Sequence, residues 1–179
     1  MKEKRPIYIF DTNIFFTGID FNIIEGTIYT TPSIIEEIKV PKYEIKNRNV
    51  LNRILVAIEN KKLEIKTPNV DYLKKVELIS KKTGDFKALS NADKDLLAIS
   101  LELLDIQDEP IMVFSNDYSV ENLCSELKLP FSPLFKEGIT KKIIWEIYCP
   151  SCYKIYNSDD LNYICQKCGS KLKRRPKSI

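Results

Sequence analysis

Two short runs along the chain are apolar on both faces. Ile7-Tyr8-Ile9-Phe10 and Ile111-Met112-Val113-Phe114 carry no charged position, and each stops at a polar stretch, Asp11-Thr12-Asn13 and Ser115-Asn116-Asp117. Runs of this length and kind predict strands buried inside a parallel sheet. Thr27–Thr30 is a further strand candidate, and Lys62–Thr67 alternates like a strand before Pro68. Between these runs the spacing becomes helical. Thr31-Pro32-Ser33 opens a helix carrying Ile34, Ile35 and Ile38, with Glu36 and Glu37 in its first turns. Residues 43–60 repeat Ile45, Leu51, Ile54, Leu55 and Ile58, and residues 69–82 predict another helix closed by Gly84. Asn91 is the expected cap of a helix whose face is Leu96, Leu97, Ile99, Ser100, Leu103 and Leu104, and a last helix runs to Leu127. Strands alternating with helices of this length imply an α/β sandwich, helices on both sides of a mostly parallel sheet.

The pattern changes near residue 140. Lys142–Tyr148 reads as a strand, then come Cys149-Pro150-Ser151-Cys152, Lys154-Ile155-Tyr156, a polar turn at Asn157–Asp160, and Cys165-Gln166-Lys167-Cys168-Gly169. Pro130–Thr140 reads as the connection, and a flexible connection would let the flanking parts move independently. The expected organisation is an α/β unit at 1–135, a connection and lead-in strand at 136–147, and a small ribbon with a basic tail at 148–179. Charge divides the same way. Residues 1–140 hold 19 Lys+Arg and 22 Asp+Glu, whereas 141–179 hold 9 and 3.

Composition narrows the chemistry. The chain has no histidine among its 179 residues. That excludes Ser-His-Asp and Cys-His nucleophiles and any histidine-ligated metal. The apolar runs are too short for a spanning helix, and the charged N-terminus is not followed by a signal-peptide core. A cytoplasmic protein without membrane association is therefore expected. In a reducing compartment, paired cysteines point to metal before disulfide.

Cys149-x2-Cys152 and Cys165-x2-Cys168, with 12 residues between the pairs, have the spacing of a four-thiolate zinc ribbon. Disulfides and an iron–sulfur cluster are the alternatives. Four protein ligands close the site, so one structural Zn²⁺ is expected. Lys171, Lys173, Arg174, Arg175 and Lys177, with Tyr153, Tyr156 and Tyr163 interleaved, suit phosphate contacts and base stacking on RNA. The bland alternative is a solvated terminus around a tiny core. Cys124 reads as buried filler.

Four acids fall at strand ends or in the first turns of following helices: Asp11, Glu36 or Glu37, Asp93 and Asp117. Each has an ordinary role as a helix cap, a dipole partner or solvated surface. Gathered at one rim of a parallel sheet, they would repel one another unless hard cations such as Mg²⁺ or Mn²⁺ neutralised them.

Ile9-Phe10-Asp11-Thr12-Asn13, Thr31-Pro32-Ser33-Ile34-Ile35-Glu36-Glu37-Ile38, Leu89-Ser90-Asn91-Ala92-Asp93 and Phe114-Ser115-Asn116-Asp117-Tyr118 resemble the successive acidic motifs of PIN-domain ribonucleases. With the four-cysteine ribbon behind them, the chain resembles the Nin-one-binding endonucleases, which trim the 3′ end of small-subunit ribosomal RNA, and in its length the archaeal members. The resemblance implies a PIN fold with Asp11, Glu37, Asp93 and Asp117 as metal-binding catalytic acids. Thr12, Asn13 and Ser115 would be their supports. Asn116 departs from the family, where a second aspartate is common. The implied reaction is hydrolysis of RNA by water, leaving a 5′-phosphate and a 3′-hydroxyl, with no small-molecule substrate. Implied partners are precursor rRNA and the assembling small subunit with its assembly proteins. Lys39, Lys42, Lys46, Arg48 and Arg53 are further basic candidates. A non-catalytic RNA-binding assembly factor and a VapC-type toxin ribonuclease are the alternatives.

Overall fold

The computed structural model describes residues 5–39, 44–134 and 143–177. Its centre is β1 (Ile7–Phe10), flanked by β2 (Thr27–Thr30) and β4 (Ile111–Phe114). With β3 (Leu63–Ile65) and β5 (Phe131–Ser132) outside them, the order is β3-β2-β1-β4-β5, and every pairing is parallel. Ile9 and Phe10 point to opposite faces of β1, yet both are buried, so helices cover both sides of the sheet. This is the α/β/α sandwich the patterning implies.

The helices begin and end where the local chemistry allows. α1 (Thr12–Phe15) is one turn capped by Asp11. α2 (Pro32–Ile38) has Thr31 as its cap and Pro at its first position. α3 (Glu44–Glu59) and α4 (Val70–Thr83) follow, the latter ending on Gly84 at φ 79°. α5 (Asn91–Ile106) starts one residue earlier than expected. Ser90, not Asn91, is its cap, in a reciprocal box with Asp93. α6 (Tyr118–Leu127) is capped by Asp117. A second correction concerns Pro130–Thr140: Phe131 and Ser132 form β5, and 135–142 lie outside the described residues. No described helix is long and apolar enough to cross a membrane.

The tail builds a separate antiparallel sheet, β7 (Ile155–Tyr156), β6 (Trp145–Tyr148) and β8 (Lys173–Pro176), in the order β7-β6-β8. Its apolar core is small: Ile147, Leu161 and Leu172 with Cys149 and Cys165.

A flexible connection would allow the two parts to move independently; among the described residues a buried polar junction joins them. Asp85 is fully buried just beyond α4. It accepts from Nδ2 of Asn122 at 2.7 Å and from Nη1 of Arg174 on β8 at 3.0 Å. Arg174 also donates to Ser119 at 3.2 Å and lies 4.4 Å over the Trp145 ring. Asn122 donates to the carbonyl of Ile143 and accepts its N–H, both at 2.8 Å. A Cβ on Gly84 would sit 2.5 Å from the Trp145 carbonyl oxygen, so the two backbones meet there.

Gly84→Ala must strain a left-handed residue and displace Trp145 together. We expect a loss of about 1–3 kcal/mol in urea unfolding. Arg174→Met leaves the Asp85 carboxylate buried without its cation. About 3 kcal/mol should be lost, and ¹⁵N relaxation should report faster tumbling for the ribbon than for the sandwich. Asp85→Asn in the same chain should restore part of that stability.

Candidate active site and cysteine cluster

The strand order reverses direction at β1. The chain winds through β1, β2 and β3 to one side and returns through β4 and β5 on the other. The carboxyl ends of β1 and β4 therefore open a crevice, where parallel α/β sheets place their ligands. Asp11 leaves β1 at this rim and Ser115–Asp117 leave β4. Glu37 arrives on α2 and Asp93 on the first turn of α5.

Asp11 is held at both oxygens. Oδ1 accepts the Thr12 N–H at 2.6 Å, and Oδ2 accepts the Ser115 hydroxyl at 2.7 Å. The Ser115 oxygen in turn accepts the Asp117 N–H at 3.0 Å, so one buried hydroxyl sets two acids. Asp117 spends Oδ1 on the N–H groups of Ser119 and Val120, at 2.6 and 3.4 Å. Asp93 accepts the Ser90 N–H through Oδ2 at 2.7 Å. The ordinary capping roles are thus real, and they are also what aims the carboxylates. Burial pushes the Asp11 carboxyl up to about 6. The Ser115 bond opposes this, while the charges of Asp93 and Asp117 add to it. Asp93 is also raised, by burial first and then by the charges of Asp117 and Glu37. The four acids therefore act on one another across more than 100 residues of sequence.

Glu37 is singled out from Glu36 by a contact. Its Oε2 accepts the Thr12 hydroxyl at 2.6 Å, which points it toward Asp11. Asn13 is exposed on α1, and among the described residues its side chain bonds to none of the acids. Asn116 turns away, its Oδ1 accepting the Leu134 N–H at 3.1 Å. Asp95 was missed by sequence reasoning. It accepts the Ser33 hydroxyl at 2.6 Å and thereby ties the start of α2 to the start of α5. Its spacing from Asp93 was visible, but its partner lies 62 positions away.

The donor set fits a hard divalent cation. It is all carboxylate oxygen, and the burial and repulsion acting on Asp11 are costs that a cation relieves. Among the described residues the four cysteines form a group close enough to hold a metal, their sulfurs within 4.8 Å of one another, and the four acids do not form such a group.

The cysteine cluster is compact. Cys149 and Cys168 sulfurs lie 3.3 Å apart and those of Cys152 and Cys165 3.5 Å, with all four cysteines free of disulfide. N–H groups of Cys152 and Lys167 point at the sulfurs of Cys149 and Cys165, and Gly169 takes φ 74° behind the second knuckle. The Tyr156 hydroxyl donates to the Cys165 sulfur at 3.1 Å, the largest influence drawing that thiol down to about 6. The arrangement fits a soft, tetrahedral cation.

The basic tail is partly committed elsewhere. Arg174 is taken up by Asp85, and Arg175 by Glu146 at 2.7 Å with Tyr148 beneath it. Tyr156 supports the cysteines. The expectation of RNA contacts at these three residues therefore meets structural duties. Lys171, Lys173, Lys177, Tyr153 and Tyr163 remain exposed. Of the α3-side candidates, Lys39 is exposed, whereas Arg53 stacks on Phe21 and donates to the Ile19 carbonyl. Lys42 and the Lys46 side chain lie outside the described residues.

Comparison with known proteins agrees with this geometry. Residues 8–103 match the family described as PIN domain of ribonuclease. The chain is 34% identical over 169 residues to Endoribonuclease Nob1 of Methanocaldococcus jannaschii, covering 94% of this chain and 77% of that one. It is 34% identical over the same length to Endoribonuclease Nob1 of Pyrococcus abyssi, covering 94% and 93%. It is 31% identical over 168 residues to Ribonuclease VapC1 of Thermoplasma acidophilum, covering 94% and 77%. A parallel sandwich carrying an acidic crevice, a four-cysteine ribbon and matches of this extent place the chain in one family: it belongs to the PIN-domain endoribonucleases of the Nob1 type.

Proposed function

We propose that this endoribonuclease hydrolyses RNA in a Mg²⁺- or Mn²⁺-dependent reaction and matures the 3′ end of small-subunit ribosomal RNA. The observation that carries the reading is the mutual action of Asp11, Glu37, Asp93 and Asp117 at the sheet's switch point, fixed by Ser115 and Thr12. The ribosomal substrate rests on the likeness to the Nob1 endoribonucleases over nearly the whole chain. A divalent cation bound there would polarise the attacking water and offset the charge growing on the phosphoryl oxygens. Asp11, Glu37, Asp93 and Asp117 would hold it. Ser115 keeps Asp11 and Asp117 in register, and Thr12 holds Glu37 against the repulsion of its neighbours. With no histidine in the chain, the water must be activated by this acidic site.

The ribbon takes one structural Zn²⁺ in this reading, through Cys149, Cys152, Cys165 and Cys168. It presents Lys171, Lys173 and Tyr163 to RNA, and the assembling small subunit with its proteins is the partner. The setting is the cytoplasm. Likeness to Ribonuclease VapC1 supports a second RNA choice, so substrate comparison belongs in the test.

Labelled RNA spanning the 3′ end of the small-subunit precursor should be cut once with Mn²⁺ or Mg²⁺. No cut should occur in EDTA or with Asp11→Asn. Unrelated structured RNA cut equally well would favour the second choice. Binding without any cleavage, on free RNA and on precursor particles, would replace the nuclease by an assembly factor. Asp11→Asn should also make the metal-free protein more stable at pH 8. The folded carboxyl binds its proton more tightly than the unfolded one, so ionisation at that pH costs on the order of 3 kcal/mol that asparagine avoids. A melting temperature a few degrees higher in EDTA is the expected readout. Stripping the ribbon's metal with a strong chelator should release one Zn²⁺ per chain and collapse the ¹⁵N–¹H cross-peaks of 148–177 to random-coil positions, because that core is too small to fold alone.

A further inference from the structure

Beside the acids lies a feature that neither the acidic motifs nor the ribbon accounts for. Phe86, on the loop from α4 to α5, is only half-buried, and three ammonium groups surround its ring. Lys94 Nζ lies 4.2 Å from the ring centroid, Lys81 Nζ 4.6 Å and Lys87 Nζ 5.7 Å. Three lysines of the same sandwich pair with carboxylates, Lys66 with Glu102, Lys74 with Asp71, and Lys75 with Asp105, while others stand alone in solvent. Among the described residues, Lys81, Lys87 and Lys94 have no such partner. Three like charges gathered on one ring repel one another, and the ring's negative face offsets only part of that. The missing complement is an anion.

Position names the anion. Lys94 directly follows Asp93 in the first turn of α5, so one edge of the platform adjoins the acidic crevice. Lys81, at the other edge, also lines a cleft of about 540 Å³ between the end of α4 and the ribbon, together with Lys82, Lys177, Trp145 and Tyr156. Three acids line that cleft as well: Glu146 holds Arg175, Asp160 accepts the Asn157 N–H, and Asp159 is exposed beside the Ser158 hydroxyl. The cleft itself carries lysines and acids in equal number, so the positive, aromatic surface is the Phe86 cluster, which lies between the cleft and the rim that carries the carboxylates, which by themselves repel phosphate. Alternating cations and aromatic faces is the chemistry of single-stranded nucleic acid binding, phosphate on ammonium and base on ring.

We propose that Phe86, with Lys81, Lys87 and Lys94, is a stacking and phosphate platform that delivers single-stranded RNA from the ribbon to the acidic site. The proposal rests on RNA being the substrate. It adds to that reading the place where the strand enters and the residue on which a base stacks. Phe86 is a positioning residue, acting on the bound strand and not on the scissile phosphate.

The test measures binding of a short single-stranded RNA in EDTA, where hydrolysis cannot interfere, over a range of salt. Lys81→Gln with Lys87→Gln removes two exposed charges and should lower the slope of log affinity against log salt by about 1.4, at about 0.7 per phosphate contact. Lys61→Gln with Lys62→Gln removes two charges at the amino end of β3, the opposite end of the sheet, and should leave the slope unchanged. Phe86→Leu should weaken binding at least about fivefold, and Phe86→Tyr should retain it. Melting temperatures near that of the wild type confirm folded variants. Lys81/Lys87 and Phe86→Leu variants that bind with wild-type affinity and slope would overturn the platform, and so would a wild type that binds no RNA. Failure of the nuclease reading looks different: RNA is bound through Phe86 but never cut.

Discussion

The site depends on like charges brought together and kept together. Asp11 is buried between a sheet and the first turns of three helices, and Asp93 and Asp117 both push its carboxyl toward protonation. Nothing apolar holds such a set. What does are backbone N–H groups at the starts of α1, α5 and α6, and one buried serine hydroxyl shared by Asp11 and Asp117. Helix caps are cheap local structure, each satisfying amides that would otherwise lack partners. Here the caps are also the acids of the candidate site, so the same hydrogen bonds that begin the helices orient them. The cost of repulsion is stored in the folded chain, and a divalent cation bound there would relieve it.

The second organising element is the polar junction around Asp85. A zinc ribbon of this size could hang loosely from the sandwich. Instead Arg174 reaches into it from β8, Asn122 takes both the N–H and the carbonyl of Ile143, and Gly84 lets Trp145 approach. Buried polar groups of this kind add little net stability but fix one relative placement, because every alternative leaves a charge unpaired. Fixed placement holds the ribbon in one position relative to the acidic crevice. It keeps the cleft between ribbon and α4 in one shape, with Lys81 in the cleft and Lys94 beside the acidic rim.

Much of this was legible in the chain, for identifiable reasons. β1 and β4 are apolar on both faces because they are the most enclosed strands, and enclosure is what unbroken apolar runs report. The cysteine spacing was legible because tetrahedral ligation constrains it locally. The order of acidic motifs, with the ribbon behind, gave the family. Other features depended on contacts that no local pattern carries. Phe131–Ser132 is a two-residue edge strand just after a proline and looks like linker. The cap of α5 slipped by one because Ser90 and Asn91 are both good caps, and only the reciprocal bond to Asp93 decides between them. Glu37 separates from Glu36 through a hydroxyl 25 positions away. Arg174 reads as one more cation in a basic tail until its partner 89 positions earlier is seen. Charge runs record composition, and which members are already engaged is a property of the fold.

In the proposed reaction the acidic cluster activates water, in a sequence with no histidine to deprotonate a ribose hydroxyl. End-group analysis of the cleaved RNA tests that most directly. Products bearing a 5′-phosphate and a 3′-hydroxyl are what hydrolysis by an externally supplied water predicts. A 2′,3′-cyclic phosphate with a 5′-hydroxyl would mean that the RNA's own 2′-oxygen attacks, and would contradict the account.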